Sequence, residues 1–489
     1  MKPLRTAFRL WLCTLLLTLT AGCWQDEEFS TAPTDLLRFS TDSVNFDTVI
    51  SGQPTNTRTF MVYNPNARSL RISRAFLGRG TESVFRVNID GTFLENGEAS
   101  NFELYAEDSL RVFLEMTAPV SDSDEPVAVE DELTFVLESG QTQSVTLTAY
   151  GQDVVVLKGW TVTADTTLTA RRPYQVYDSL VVAPDVTLNL PAGVRLYFHP
   201  NARLIVHGTL RAEGALGNEV MMRGDRMGNM FSNQPYDLIP GQWGGIVLTS
   251  GSYGNIFNYC DIHSGSFGLR CDSADVSREK VRIENSVLHN VSGDVLTARA
   301  CSLFVGNSQL TNAGGNCVTL YGGSSRFVHC TIANFYAFTG GRGVALSYTN
   351  ADGSIPYPLH QAEFLNCLIT GYGEDEIMGA QSADHADLPF NYLFRNCLLD
   401  TPEFVDEQVQ NCLWDNDEAA VWREGNFSPA FDLDRLLFRF SLDSLSSAVG
   451  NADPTVTQTY YPYDRLGRSR LDDGRSDIGC YELLEVGAE

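Results

Sequence analysis

Apolar and polar residues alternate in short runs from Arg38 to Asp153, as in Leu70-Arg-Ile, Phe85-Arg-Val-Asn-Ile, Leu110-Arg-Val-Phe-Leu, Leu133-Thr-Phe-Val-Leu and Val145-Thr-Leu-Thr-Ala-Tyr. Period-two alternation broken by turn residues predicts half-buried antiparallel strands, and about seven in such a length suit a β-sandwich. The stretch Asp122 to Glu132 reads as a solvated acidic loop, and calcium is the one ion its carboxylates suit. No other cofactor is expected, and no metal ligand set is assigned.

After Asp153 the pattern changes to very short strands punctuated by Pro and Gly. A unit recurs: an apolar residue, two others, Cys or Ser, any residue, an apolar residue, and often Asn two places on. It is centred on Cys260, Ser286, Ser308, Cys330, Cys367, Cys397 and Cys412, at intervals of 26, 22, 22, 37, 30 and 15 residues. About 22 residues make one coil of a parallel β-solenoid, longer intervals are coils with inserted loops, and the last is an irregular terminal turn. Equivalent positions in successive coils stack at the strand spacing of roughly 4.8 Å, so Cys and Ser form one buried column. Asparagine precedes that column at Asn285, Asn307, Asn366, Asn396 and Asn411; it tolerates the left-handed backbone of a tight corner. The cysteines are read as mostly reduced and buried, since no CxxC occurs and their spacing follows the repeat.

The chain opens with Lys2, Arg5 and Arg9, then an apolar run from Leu10 to Leu19 and Thr20-Ala21-Gly22-Cys23. The run is a secretory signal, too short for a membrane-spanning helix. Small residues before Cys23 resemble the lipobox of bacterial lipoproteins, with Thr20 in the usual leucine slot. Trp24-Gln25-Asp26-Glu27-Glu28 resembles the acidic export signal of surface lipoproteins of the Bacteroidota. That resemblance implies lipidation of Cys23, attachment to outer-membrane lipid and display on the cell exterior. The strands of 38–153 resemble the Ig-like spacers of envelope proteins. The turn Trp243-Gly244-Gly245 resembles the opening coils of right-handed parallel β-helices. Asp477-Ile-Gly-Cys-Tyr-Glu482 resembles the closing segment of surface β-helix proteins and is read as a cap on the last coil. The expected fold is therefore all-β, with an Ig-like sandwich followed by a right-handed parallel β-helix. Its segments are a signal at 1–22, an acidic tether at 23–37, the sandwich at 38–153, the β-helix at 154–430 and a terminal coil and cap at 431–489.

Composition refines this picture in two places. The net charge of -27, from 34 basic and 61 acidic residues, disfavours nucleic acid or bare anionic membrane as partner; signal removal takes away three basic residues and no acidic one. Of the lysines, only Lys158 and Lys280 follow the signal, so a lyase acting on acidic sugars would rely on other bases.

The best local constellation for chemistry is Asp261 and His263 on one coil with Glu284 and His289 on the next, the two histidines occupying equivalent repeat positions. Alternation points them outward, where they would bind a ligand or metal, or simply cover a wet sheet face. Long excursions at Met221–Pro240, Thr349–Pro358 and Glu374–Phe390 are the places for ligand loops. Tyr336, Phe338 and Tyr348, with Tyr236 in the first excursion, are candidates for stacking on sugars. The sequence reading is a non-catalytic surface module binding a glycan or a protein complex; the alternative is a polysaccharide lyase or glycoside hydrolase. Convergence of acidic and basic side chains in one groove would favour the enzyme, and a flat polar face with exposed aromatics would favour binding.

Overall fold

The computed structural model describes residues 28–231, 234–415, 423–472 and 474–483. The signal segment, Cys23 and Asp26-Glu27 lie outside the described residues. No helix among the described residues is long and apolar enough to cross a membrane. The chain forms two compact units, one of Met1–Val120 with Val127–Gly151, the other of Ser121–Pro126 with Gln152–Glu489.

The first unit is sandwich-like. Arg38–Phe39, Arg58–Tyr63, Ser109–Met116, Phe85–Ile89 and Thr92–Phe93 make one five-stranded sheet. Ser43–Ile50, Thr142–Gln152, Val127–Leu137, Leu70–Leu77 and Glu98–Leu104 make the other. Alternation puts Phe60, Val62, Val112 and Leu114 of one sheet into the same core as Ile72, Leu133, Phe135 and Leu147 of the other. The expected acidic loop is only partly a loop. Val127–Leu137 is a strand, and Asp131 within it is buried, accepting from the amides of Arg79 and Glu132 at 3.1 and 2.8 Å. Asp122 and Asp124, in the second unit, pair with Arg172, and Asp124 also with Arg171. Asp122 and Asp124 are thus paired with arginine, and the cluster able to hold a divalent ion among the described residues lies in the solenoid instead.

The second unit is a parallel β-solenoid with three strands per coil, as in Glu279–Glu284, Val287–Val291 and Leu296–Arg299, followed by Ser302–Gly306, Gln309–Ala313 and Val318–Tyr321. We call these three positions the first, second and third face. Each strand pairs with its equivalent one coil on, so inward residues form columns. Phe327, Phe364 and Phe394 of the first face stack with centroids 4.9 Å apart. Cys260, Ser286, Ser308, Cys330, Cys367 and Cys397 form the expected buried column at the start of the second face.

The corner between these two faces explains why Cys and Ser interchange. Asn285, Asn307, Asn366, Asn396 and Asn411 have φ of 50°, 50°, 53°, 50° and 52°; Tyr259 and His329 hold the same left-handed position in the coils that lack asparagine. At this corner the carbonyl two residues before the Cys or Ser accepts the backbone N–H of the preceding coil, as Val328 O does from Asn307 N at 2.9 Å, and has a second lone pair that a small side-chain donor can reach. Ser286 and Ser308 hydroxyls donate to Glu284 and Gly306 at 2.7 Å, and the Cys330 and Cys367 thiols donate to Val328 and Leu365 at 3.5 and 3.3 Å. Cys412 repeats the bond to Gln410 at 3.5 Å. Leu413–Trp414 pairs with Leu398–Leu399, so the 15-residue interval keeps the second face in register, and no third-face strand is described after Ile377–Ala380.

The tail does more than close the last coil. It runs back along the corner and the outside of the second face: Asp453 and Thr457 meet Asn366 and His329, and Tyr461 meets Glu284. The closing motif is a docking strip. Gly479 N donates to Asn366 O at 2.9 Å, Cys480 N to Thr331 Oγ1 at 3.1 Å, and Tyr481 Oη to Gln309 Oε1 at 2.8 Å. Glu482 accepts from fully buried Arg470 at 2.8 Å. A side chain at 479 would meet Thr331 Oγ1 at 2.9 Å, with φ at +103°, so glycine is required there. The physical reason for the departure from a simple cap is that an outer sheet face bearing Leu368 and Leu398 needs cover, which Ile478 and Cys480 supply.

Candidate functional site: a cleft on the second face

Outward residues of the second face also stack in columns. One runs Met221, Asp261, Val287, Gln309 and Thr331; beside it, His263 pairs with His289 and His289 with Thr311. Two segments rise over this surface. On one side is the excursion after Val220–Gly224, a hairpin of Asn229–Phe231 and Gln234–Pro235 followed by the turn Tyr236–Leu238. On the other is the tail. They bound a cleft of ≈ 460 Å³ with Asp261, His289, Gln309 and Thr311 on its floor, Glu219 and Leu238 at one side, and Arg439, Phe440, Arg465 and Tyr481 from the tail.

His263 is not on a wet face. It is 3% exposed, because Asp237 of the excursion closes over it. Its Nδ1 lies 2.8 Å from Asp261 Oδ1 and its Nε2 2.9 Å from Asp237 Oδ1. Burial opposes the charged ring, yet the two carboxylates outweigh it and push His263 up to about 10. The ring is therefore an imidazolium donating both N–H groups. Arg223, held over the Tyr197 ring at 4.7 Å, is the second cation on Asp237. Burial also opposes ionisation of Asp261, but His263 and His289 hold its carboxyl well below the usual range. His289 lies tilted against His263 with centroids 4.8 Å apart, and its Nε2 sits 3.3 Å from Asp261 Oδ1. The side chains of Asp261 and His289 are 32% and 17% exposed, and both line the cleft.

Of the four expected residues, the fold thus brings together Asp261, His263 and His289. Glu284 is apart: it ends the first-face strand and accepts from Tyr461 Oη at 2.6 Å, an anchor for the tail. The triad's ligand atoms lie within 4.8 Å of one another and can hold a divalent ion. Two imidazoles and one carboxylate suit zinc-like ions better than calcium, and His263 would have to give up a proton and its bond to Asp237 to take part.

The aromatic platform is not formed. Tyr348 is 4% exposed, inside the solenoid against Phe390, Tyr392 and Phe394. Tyr336 is buried beside Phe338, which also contacts Phe438 of the tail. Tyr236 stacks under Arg226 at 4.9 Å. Lys280 is fully buried and donates to the carbonyls of Thr249 and Ser252 at 2.5 and 3.0 Å, a structural use that removes it as a base. Sequence reasoning did not single out Glu219, Asp237 or Arg439, and it read Arg465 with the closing segment as part of a cap rather than a site.

No family model and no curated protein matches the chain. Among solved structures, it is similar to the catalytic unit of a thermostable GH87 α-1,3-glucanase from Streptomyces thermodiastaticus strain HF3-3, at 10% identity and a TM-score of 0.26, over 73% of this chain and 75% of that one. It is similar over 27% of its length to PapD-like domain 7 of human CEP192, at 9% identity and a TM-score of 0.18, covering 96% of that domain. A family 123 glycoside hydrolase from Clostridium perfringens matches at 5% identity and a TM-score of 0.17, over 24% of this chain and 25% of that one. Scores this low carry no argument about activity.

Proposed function

We propose that the protein is a carbohydrate-active β-solenoid that cleaves a glycan in the second-face cleft. The observation that carries this reading is the convergence of Asp261, His289, Glu219, Arg439 and Arg465 on one cavity. That is the arrangement expected of an enzyme; with Tyr336 and Tyr348 buried, the flat aromatic face of a pure binding module is not supported. Cleavage of a glycosidic bond needs two carboxyl groups at the sugar, one ionised and one delivering a proton to the leaving oxygen. Asp261, held ionised beside His263, is the candidate for the first role, and Glu219, the other carboxyl group lining the cleft, is the candidate for the second. Lipidation at Cys23, supported by the signal segment and Thr20-Ala21-Gly22, would tether this activity to the outer membrane, facing outward.

The test is incubation with a panel of neutral and acidic polysaccharides and chromatography of the products. Wild type is expected to release oligosaccharides from at least one member, with E219Q losing this at the wild-type melting temperature and D261N losing it while still folded at the assay temperature, its melting temperature lowered by the loss of the buried ion pair with His263. Binding without any release would return the protein to the non-catalytic reading.

A further inference from the structure

We infer that the cleft selects a glycan bearing an anionic group, a carboxylate or a sulfate ester, which is bound by Arg465 and Arg439. This rests on the carbohydrate reading above and names the class of sugar.

Arg465 is 8% exposed and lines the cleft. Its backbone N donates to Cys480 O at 3.1 Å, which fixes the residue to the docking strip. Its guanidinium forms no ion pair, and its buried Nε has no hydrogen-bond partner among the described residues. The adjacent carboxylate, Asp464, is engaged with backbone: it accepts from the amides of Leu466, Arg468 and Glu482 at 2.8, 2.8 and 3.0 Å. Arg470 and Arg223 also have a buried Nε without a partner, but each carries an ion pair, with Glu482 and Asp237; Arg342 pairs with Glu376. Burying a guanidinium without a counter-charge is costly. In a chain with 61 acidic and 34 basic residues, supplying one would have been easy. Arg439 is exposed, lines the same cleft and likewise has no ion pair among the described residues.

The charges of the cleft are divided by origin. Both carboxylates, Glu219 and Asp261, belong to the solenoid, and both free guanidinium groups belong to the tail. Asp261 is already paired with His263, Glu219 accepts from Gly217 N at 3.1 Å, and neither forms an ion pair with Arg439 or Arg465 among the described residues. A sugar acid lying across the cleft would place its ring over the solenoid floor and its anionic group toward the tail wall, where guanidinium forks match planar oxyanions.

The experiment measures binding of the full chain to a neutral glucan, a polyuronate and a sulfated glucan, using D261N to prevent turnover, and the melting-temperature shift given by free glucuronate and by inorganic sulfate. The expected result is at least tenfold tighter binding of one acidic polymer than of the neutral one, reduced about tenfold by R439Q and by R465Q, with R465K retaining part of it. Which polymer binds tells carboxylate from sulfate. R439Q, at an exposed position, keeps the test decisive if R465Q does not fold. Equal binding of neutral and acidic polymers, unaffected by R439Q, would overturn the inference and leave the carbohydrate reading standing. If no polymer binds, the carbohydrate reading fails; a melting-temperature rise with glucuronate or sulfate that R439Q removes would still sustain the anion site, and no rise would overturn it too.

Discussion

At the scale of single residues, the corner between the first two faces sets strict demands. Asn307 combines a left-handed φ of 50° with hydrogen bonds to Asn285 and Arg470. N307A is expected to cost about 2 kcal/mol, roughly half from the backbone region that asparagine tolerates and half from lost buried bonds, measured by urea denaturation. At Cys330 the demand is weaker. C330S should stay within about 1 kcal/mol of wild type, and C330V, which removes only the thiol's weak second bond to a Val328 carbonyl still paired with Asn307 N at 2.9 Å, should also cost no more than about 1 kcal/mol. His263 gives a pH signature. Its folded pKa of about 10 lies above the roughly 6.5 of an unfolded histidine, so its contribution is complete below pH ~6.5 and is lost as pH rises toward 10. The melting temperature of wild type should therefore fall more steeply than that of H263Q between pH 7 and 10; parallel curves would remove the imidazolium from the account.

At the scale of elements, the solenoid was legible because every coil repeats the same demands. Phe364 three places before Cys367, and Asn366 one place before it, announce an inward residue and a corner wherever they recur. What alternation could not show was which outward residues are covered. His263 has the pattern of a surface residue and is buried, since Asp237 reaches it from an excursion with no periodicity. Tyr348 likewise reads as exposed and points inward on the third face. The closing motif was legible as an element but not as a strip along the second face, since its partners Gln309, Thr331 and Asn366 are more than a hundred residues earlier. Its tightest point is Gly479. G479A should destabilise the protein by roughly 1–3 kcal/mol through its positive φ and the contact with Thr331, and should weaken ligand binding by disturbing Arg465 and Tyr481 on the cleft wall. Calorimetry alongside a binding titration checks both.

At the scale of the whole molecule, a repetitive scaffold supplies a regular floor and two irregular segments supply the walls. The floor residues Asp261 and His289 were readable from the repeat; the walls were not, because nothing in one dimension says that 436–441 and 465–466 return to the coils around Asp261. The charge pattern gains meaning at this scale. In a strongly acidic chain two guanidinium groups lining one cavity have no ion pair among the described residues, and Asp237 and Asp261 are both held by His263. The proposed lipidation of Cys23 has its own check: C23S, expressed with its signal, is expected to leave the membrane fraction and lose labelling by palmitate, and unchanged fractionation would remove the proposal. The central claim, cleavage in the second-face cleft, is tested most directly by time-resolved product analysis of wild type and D261N on a panel of polysaccharides. The account predicts release of oligosaccharides by wild type and at least a hundredfold slower release by D261N at a temperature where circular dichroism shows both proteins folded. Equal release by the two proteins, or none from any polysaccharide, would contradict it.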